Sequence, residues 1–206
     1  MSLQRFIRRL RADHGGVTVV EFALVAMPLS MLLMGGIDLG HQAYIRSVMQ
    51  GALTDAARRA SVQNPDMAAS GSTTEEQVTN SIKKQLAAIT PGATITVTES
   101  NFYDFSGIGN PEKLMTDVNG NGQYDAADGD CFSDLNENGK YDSDTGRDGV
   151  GGANDVAFYQ ADIDMPRLLP VAQLLGFPAN YKMNVATAIR NQPYGTQKTP
   201  PVVCGV

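Results

Sequence analysis

Between Val17 and Ile37 the chain reads VTVVEFALVAMPLSMLLMGGI, twenty-one residues in which Glu21 is the one ionisable side chain. A helix of that length rises about 30 Å, the hydrocarbon thickness of a bilayer. Arg5, Arg8, Arg9 and Arg11 stand just before it against Asp13. Basic residues on one flank predict a cytoplasmic amino terminus, with everything after Asp38 outside the cytoplasm. Pro28 and the Gly35-Gly36 pair are tolerated in membrane helices. A cleaved secretory signal fits poorly, because its apolar core runs to roughly 7–15 residues and ends in an A-x-A-like site that is missing here. Glu21 demands a reason, since an isolated carboxylate in lipid costs several kcal/mol unless it finds a partner or snorkels to the surface.

Past the apolar run, Tyr44, Ile45, Val48, Ala52, Ala56 and Ala60 recur at three- and four-residue steps, with Gln42, Arg46, Gln50, Asp55 and Arg59 between them. The helix is therefore predicted to continue to about Arg59, with one face for packing. Gln63-Asn64-Pro65 and Ser70-Gly71-Ser72 break the pattern. Thr73 or Thr74, with Glu76 near, caps a second helix over roughly Glu75 to Ala88, whose Val78, Ile82, Leu86 and Ile89 share a face. Thr94 to Thr98 is a β-branched run continuing toward Tyr103, and Asp155–Asp162 and Tyr181–Arg190 also read as strands. Leu168 to Leu175 suits a short helix or a buried turn. The expected fold class is α+β: a long amino-terminal membrane-spanning helix and a head of one helix and a short antiparallel sheet.

The charge is unevenly spread. The chain carries a net −6, but from Asp117 to Asp155 ten acids face only Lys140 and Arg147, a local −8. That excludes nucleic acid as a partner, because duplex binding requires Lys and Arg on one face. It predicts bound cations instead. Asp117, Asn119, Asn121, Gln123, Asp125 and Asp128 occupy the first, third, fifth, seventh, ninth and twelfth places of a calcium loop, with Gly122 at the sixth. Asp134, Asn136, Asn138, Lys140 and Asp142 repeat the first nine places seventeen residues later, with Gly139 sixth; the seventh residue of each loop, Gln123 or Lys140, offers its backbone carbonyl. Thr145 fills the twelfth place of the second loop, so Asp144 has to close that shell, and the second site is expected to be the weaker. The alternative is that Asn, Asp and Gly simply make turns. Calcium is preferred because the loop occurs twice in a segment that repels itself without cations, and magnesium demands stricter geometry. Two structural calcium sites are the expected cofactor content.

Gly15-Gly16-Val17-Thr18-Val19-Val20-Glu21-Phe22-Ala23-Leu24 resembles the prepilin junction of TadE-like pseudopilins. The resemblance implies that a prepilin peptidase cuts between Gly16 and Val17, and that Glu21, five residues on, pairs with a neighbouring subunit's new amino terminus during assembly. A snorkelling Glu21 is the alternative. Ala186 to Tyr194 (ATAIRNQPY) resembles the TadE-like ending, with Gln192 in place of an acid. The implied layout is a leader at 1–16, a transmembrane and spine helix at 17–62, and an extracytoplasmic head at 63–206 with the acidic insert at 116–155. The implied function is a pseudopilin or minor pilin working in assembly, priming or the tip of a Tad/Flp-type adhesion pilus. Its partners would be other pilin-like subunits, the pilus inner-membrane machinery, prepilin peptidase and membrane lipid. The implied location is the bacterial inner membrane, single-pass with a periplasmic head, and the cell surface after assembly. Two alternatives stand: an unprocessed membrane-anchored calcium-binding adhesion or scaffold protein, and a type II secretion pseudopilin.

In an oxidising compartment Cys131 and Cys204, the chain's two cysteines, are expected to form a bridge, with free thiols as the alternative. No enzyme is expected: G-x-S-x-G, H-E-x-x-H and a Cys-His pairing are missing, and no Lys or Arg clamp accompanies the acids.

Overall fold

A computed structural model describes residues 17–169, 173 and 176–205. Helix α1 spans Val17–Ala60, 44 residues with Pro28 inside and Arg58 and Arg59 in the last turn, where cations suit the carboxyl end of the helix dipole. Thr73 caps helix α2, Thr74–Leu86, by accepting from Glu76 N at 3.2 Å, while the Glu76 carboxylate accepts from Ser72 N and Ser72 Oγ. These bonds satisfy backbone N–H groups that a helix start leaves open.

Among the described residues seven strands form two antiparallel sheets. The larger has the order β4-β1-β5-β6, from β4 Arg147–Asp148, β1 Thr94–Phe102, β5 Val156–Pro166 and β6 Asn180–Arg190. Strand β1 pairs with β5 over its whole length, from Thr94 opposite Asp164 to Phe102 opposite Val156. The smaller sheet, β2-β3-β7, takes β2 Lys113–Thr116, β3 Cys131–Ser133 and β7 Val202–Cys204. The head therefore has two sheets where the sequence predicts one.

The described residues divide into two compact units: those up to Tyr44 with those from Arg167 to Asn180, and those from Ile45 to Pro166 with those from Tyr181 on. In the first, the apolar stretch of α1 is largely exposed, with Val19, Phe22, Leu24 and Leu32 each about two-thirds exposed or more. An eighteen-residue window of this helix has mean hydropathy 1.9 and none of it is buried, so by length and composition it is able to cross a membrane. In the second unit Ile45, Met49, Leu53, Ala56, Ala57 and Ala60 of α1 pack with Val78, Ile82 and Leu86 of α2. Ala157, Tyr159, Ala161, Ile163 and Met165 of β5 join them, alternate residues as one face of a strand requires. The buried stripe on α1 is rotated from the expected one: Tyr44 is exposed, Val48 is only partly buried, and Met49 and Leu53 lie at the centre. A regular stripe of three- and four-residue steps fits two neighbouring helix faces, and packing selects the bulkier one.

Candidate functional site

Two surfaces carry the residues singled out in the sequence: the amino-terminal end of α1 and the acidic segment. Val17 is the first residue of α1. Gly16 lies outside the described residues, and so does the leader. Glu21 is exposed on α1, one turn into the helix, and among the described residues no cation pairs with it.

The acidic segment folds as two loops with matched hydrogen bonds. In the first, Asp117 Oδ1 accepts from Asn121 N at 3.2 Å and Oδ2 from Gly122 N at 2.7 Å. In the second, Asp134 Oδ1 accepts from Asn138 N at 3.1 Å and Oδ2 from Gly139 N at 2.7 Å. Asn119 Oδ1 accepts from Asn121 N, and Asn136 Oδ1 from Asn138 N. Asn121 Oδ1 accepts from Gln123 N, and Asn138 Oδ1 from Lys140 N, both at 2.7 Å. Each loop turns on its sixth residue: Gly122 has φ 76° and Gly139 φ 78°, a region that favours glycine. At the fourth place Gly120 has φ 72°, but its counterpart Glu137 has φ 61° and is strained there.

A second repeat lies outside the spacing motif. The Asp130 carboxylate, fully buried, accepts from Val118 N at 2.8 Å and Asp125 N at 3.0 Å, the second and ninth places of the first loop. The Glu112 carboxylate, also buried, accepts from Leu135 N at 2.7 Å and Asp142 N at 3.1 Å, the second and ninth places of the second. Each loop is thus closed by a buried carboxylate from outside its nine residues. Burial raises the Glu112 pKa against the pull of the backbone N–H groups. The loops meet through their eighth residues: the Tyr124 and Tyr141 rings stack with centroids 4.6 Å apart, and both stand edge-on to Phe132. The segment therefore owns a small aromatic core. Cys131 and Cys204, opposite each other in β3 and β7, are joined by a disulfide.

The loops differ where they close. Asn119 Nδ2 donates to the Asp128 carboxylate, so the third and twelfth places of the first loop meet. In the second, Asn136 Nδ2 and Asn138 Nδ2 both donate to Asp142 Oδ2, so the third, fifth and ninth places meet. Those amide bonds hold the Asp142 pKa below the usual carboxylate range. Asp144 Oδ1 accepts from Gly146 N at 3.0 Å, two residues on in its own turn. The donor chemistry, carboxylate and amide oxygen with backbone carbonyls, is that preferred by hard cations such as calcium. Among the described residues no three His, Cys, Asp or Glu side chains gather as a metal-holding group. A cation in either loop depends on amide and carbonyl oxygens for the rest of its shell.

Sequence reasoning missed Glu112, which lies ahead of the motif with nothing to mark it, and Asp130, which counted only as one acid among ten. The repeated tyrosine at the eighth place was a readable signal for the loop pair.

The model of the TadE-like protein family matches residues 16–58. That is nearly all of α1 and none of either sheet. No curated protein and no solved structure matches the chain. The match supports a TadE-like, pilin-type protein associated with pilus components in general, and the apolar half of α1 fits a single-pass membrane anchor. The TadE-like ending read at Ala186–Tyr194 falls outside the matched residues. In the structure it does local work: buried Asn191 donates through Nδ2 to Val150 O at 2.8 Å and Gly152 O at 2.9 Å, and Gln192 N donates to Ser61 O, tying the end of β6 to the end of α1.

Proposed function

We propose that this chain is a pseudopilin or minor pilin of a Tad/Flp-type pilus, processed between Gly16 and Val17 and working in assembly, priming or the tip of the fibre. The observation that carries the reading is the coincidence of two things in one helix: the family match begins at Gly16, and a lone carboxylate stands at Glu21 in an otherwise apolar run. A carboxylate in an apolar helix that pairs with a neighbour's amino terminus relieves an unpaired charge and fixes the axial register between packed helices. Its action is association, not catalysis. The amino terminus is cytoplasmic and the head periplasmic, by the arginines of the leader. The test is co-isolation of partner pilins with the full chain from membranes. Glu21→Ala is expected to remain membrane-bound and cleavable but to lose most of its partners, and undiminished partner recovery would return Glu21 to snorkelling.

In the same reading the two loops take structural calcium. Asp117, Asn119, Asn121, Asp125 and Asp128 with the Gln123 carbonyl hold one ion. Asp134, Asn136, Asn138 and Asp142 with the Lys140 carbonyl, closed by Asp144, hold a weaker second. The ion would neutralise a segment of net charge −8 and order it. Calcium is expected to raise the thermal midpoint of the full chain in detergent, and a chelator to reverse the rise. An unchanged midpoint together with no binding heat at saturating calcium would remove calcium from the account.

A further inference from the structure

The end of the apolar run in α1 is marked by an ion pair. Asp38, one residue beyond Ile37, accepts from Arg167 Nη1 through Oδ2 at 2.6 Å, with both side chains largely buried. Gln42 Nε2 donates to the same oxygen at 3.1 Å. Arg167 also closes the connection between β5 and β6 on itself: its N–H donates to Ala179 O at 3.0 Å and its Nε to Pro178 O at 2.9 Å. One guanidinium and one amide thus hold both ends of the segment 168–178 beside residue 38 of the helix. These residues all belong to one compact unit.

The segment reads LLPVAQLLGFP, without a charge and with Gln173 its one polar side chain. The sequence suits a short helix or a buried turn at residues 168–175, of which 170–172, 174 and 175 lie outside the described residues; Leu168 is 53% and Phe177 57% exposed. Leaving such side chains in water forgoes the free energy that burying them would gain. The helix beside them offers no cover, since Ile37 and Leu39 are themselves exposed. Because the apolar run is about one bilayer core in length, its end at Ile37 and Asp38 sets the level of the lipid–water boundary. The segment is tied at that level.

We propose that Leu168 and Phe177, at the two tied ends of this segment, rest in the interfacial layer of the membrane leaflet nearest Asp38, so that the chain holds lipid through two elements, the α1 span and the base of this loop. The proposal rests on the membrane reading of α1. Its physics is that of an interfacial anchor: apolar side chains enter the headgroup and upper acyl region by roughly 5–10 Å, while the polar base stays at the surface. The Arg167–Asp38 pair is the hinge point of that anchor, holding the loop to the helix and resisting changes in helix depth and tilt. Lipid is the favoured occupant because the loop adjoins the span that already requires it, and carries no charge for a polar partner to recognise.

The chain has no tryptophan, so Phe177→Trp introduces a single fluorescent probe. The full chain is reconstituted in phosphatidylcholine–phosphatidylglycerol vesicles whose acyl chains are brominated either near the headgroup or near the bilayer centre. Leu29→Trp in α1 reports the span separately, and Leu168→Trp repeats the loop measurement should Phe177→Trp fold poorly. The expected result is blue-shifted emission at 177, quenched roughly twofold more by shallow than by deep bromine, in keeping with interfacial depth. Position 29 should show the reverse preference. Adding Arg167→Ala should return the probe at 177 toward water-like emission. Quenching at 29 with water-like, unquenched emission at 177 and 168 overturns the loop proposal and leaves the span standing. A blue shift at 177 that bromine does not quench and that disappears on diluting protein in lipid assigns the loop to a second copy, and also overturns it. No quenching at any position removes the span and the loop together.

Discussion

Residues 17–44 and 45–60 belong to one unbroken helix, yet their apolar side chains meet different fates. From Ile45 onward a stripe of Ile, Met, Leu and Ala is buried against α2 and the larger sheet. Before it, Val19, Phe22, Leu24 and Leu32 are exposed, and the most apolar window of the helix has none of itself covered. The polar residues differ in parallel: Asp55 and Arg59 form an ordinary exposed i,i+4 pair at 2.9 Å, whereas Glu21 stands alone among apolar neighbours. The second stretch satisfies its apolar face within the chain. The first requires something outside it, and only lipid and other apolar helices offer enough surface. The family match spans both stretches, and the difference in burial divides the helix into an exposed apolar half and a head-packing half.

Four measurements break or sharpen that contrast, beginning with the largest effect. Leu53→Ala opens a cavity in the head core and is expected to cost about 2–5 kcal/mol in chemical denaturation of the full chain in detergent, whereas Leu32→Ala should leave the midpoint of the head unchanged. Equal losses would erase the distinction between the two stretches. Cys131→Ser with Cys204→Ser removes the bridge between β3 and β7 across 73 residues, and is expected to lower head stability by about 2–4 kcal/mol. A change confined to the acidic segment, with the core midpoint intact, would show that this segment unfolds on its own.

Glu112→Gln comes next. The amide keeps one acceptor oxygen but cannot accept from both Leu135 N and Asp142 N, so one buried N–H loses its partner, at about 1–3 kcal/mol. The loss should appear in hydrogen exchange of the second loop before the first. The smallest effect is tied to pH. Burial, then the nearby Glu75 charge, push the Glu99 pKa up from 4.5 to about 7. Its contribution to stability is fully present below pH 4.5 and is lost as pH rises through about 7. Glu99→Gln should flatten that decline, adding about 1 kcal/mol at pH 8 after allowance for solvent screening, and nothing at pH 4. A wild-type head whose stability is level between pH 4 and 8 would contradict the burial of that carboxylate.

The parts of this molecule legible in its sequence are those where one period persists. The helix end expected near Arg59 falls at Ala60, and the β-branched run from Thr94 becomes β1. The smaller sheet was illegible because β2, β3 and β7 are only three or four residues long and come from distant parts of the chain. No alternation develops in three residues. The paired strand Arg147–Asp148 was hidden for a different reason: it is fixed by Asn101, whose Nδ2 reaches the carbonyls of Arg147, Asp148 and Gly149 at 3.0–3.1 Å across the sheet. In the acidic segment the nine-residue spacing showed which residues make the loops, but not what closes them. Glu112 and Asp130 act through tertiary contacts with positions two and nine, and neither stands at a motif position.

In the proposed function the exposed half of α1 is the working part of a pilin-type subunit, released for assembly by cleavage after Gly16. The most direct test is the intact mass and amino-terminal sequence of the protein from membranes, with and without a prepilin peptidase. A chain that begins at Val17 only when the peptidase is present is the predicted result. An intact leader under both conditions would contradict it and make α1 a fixed anchor.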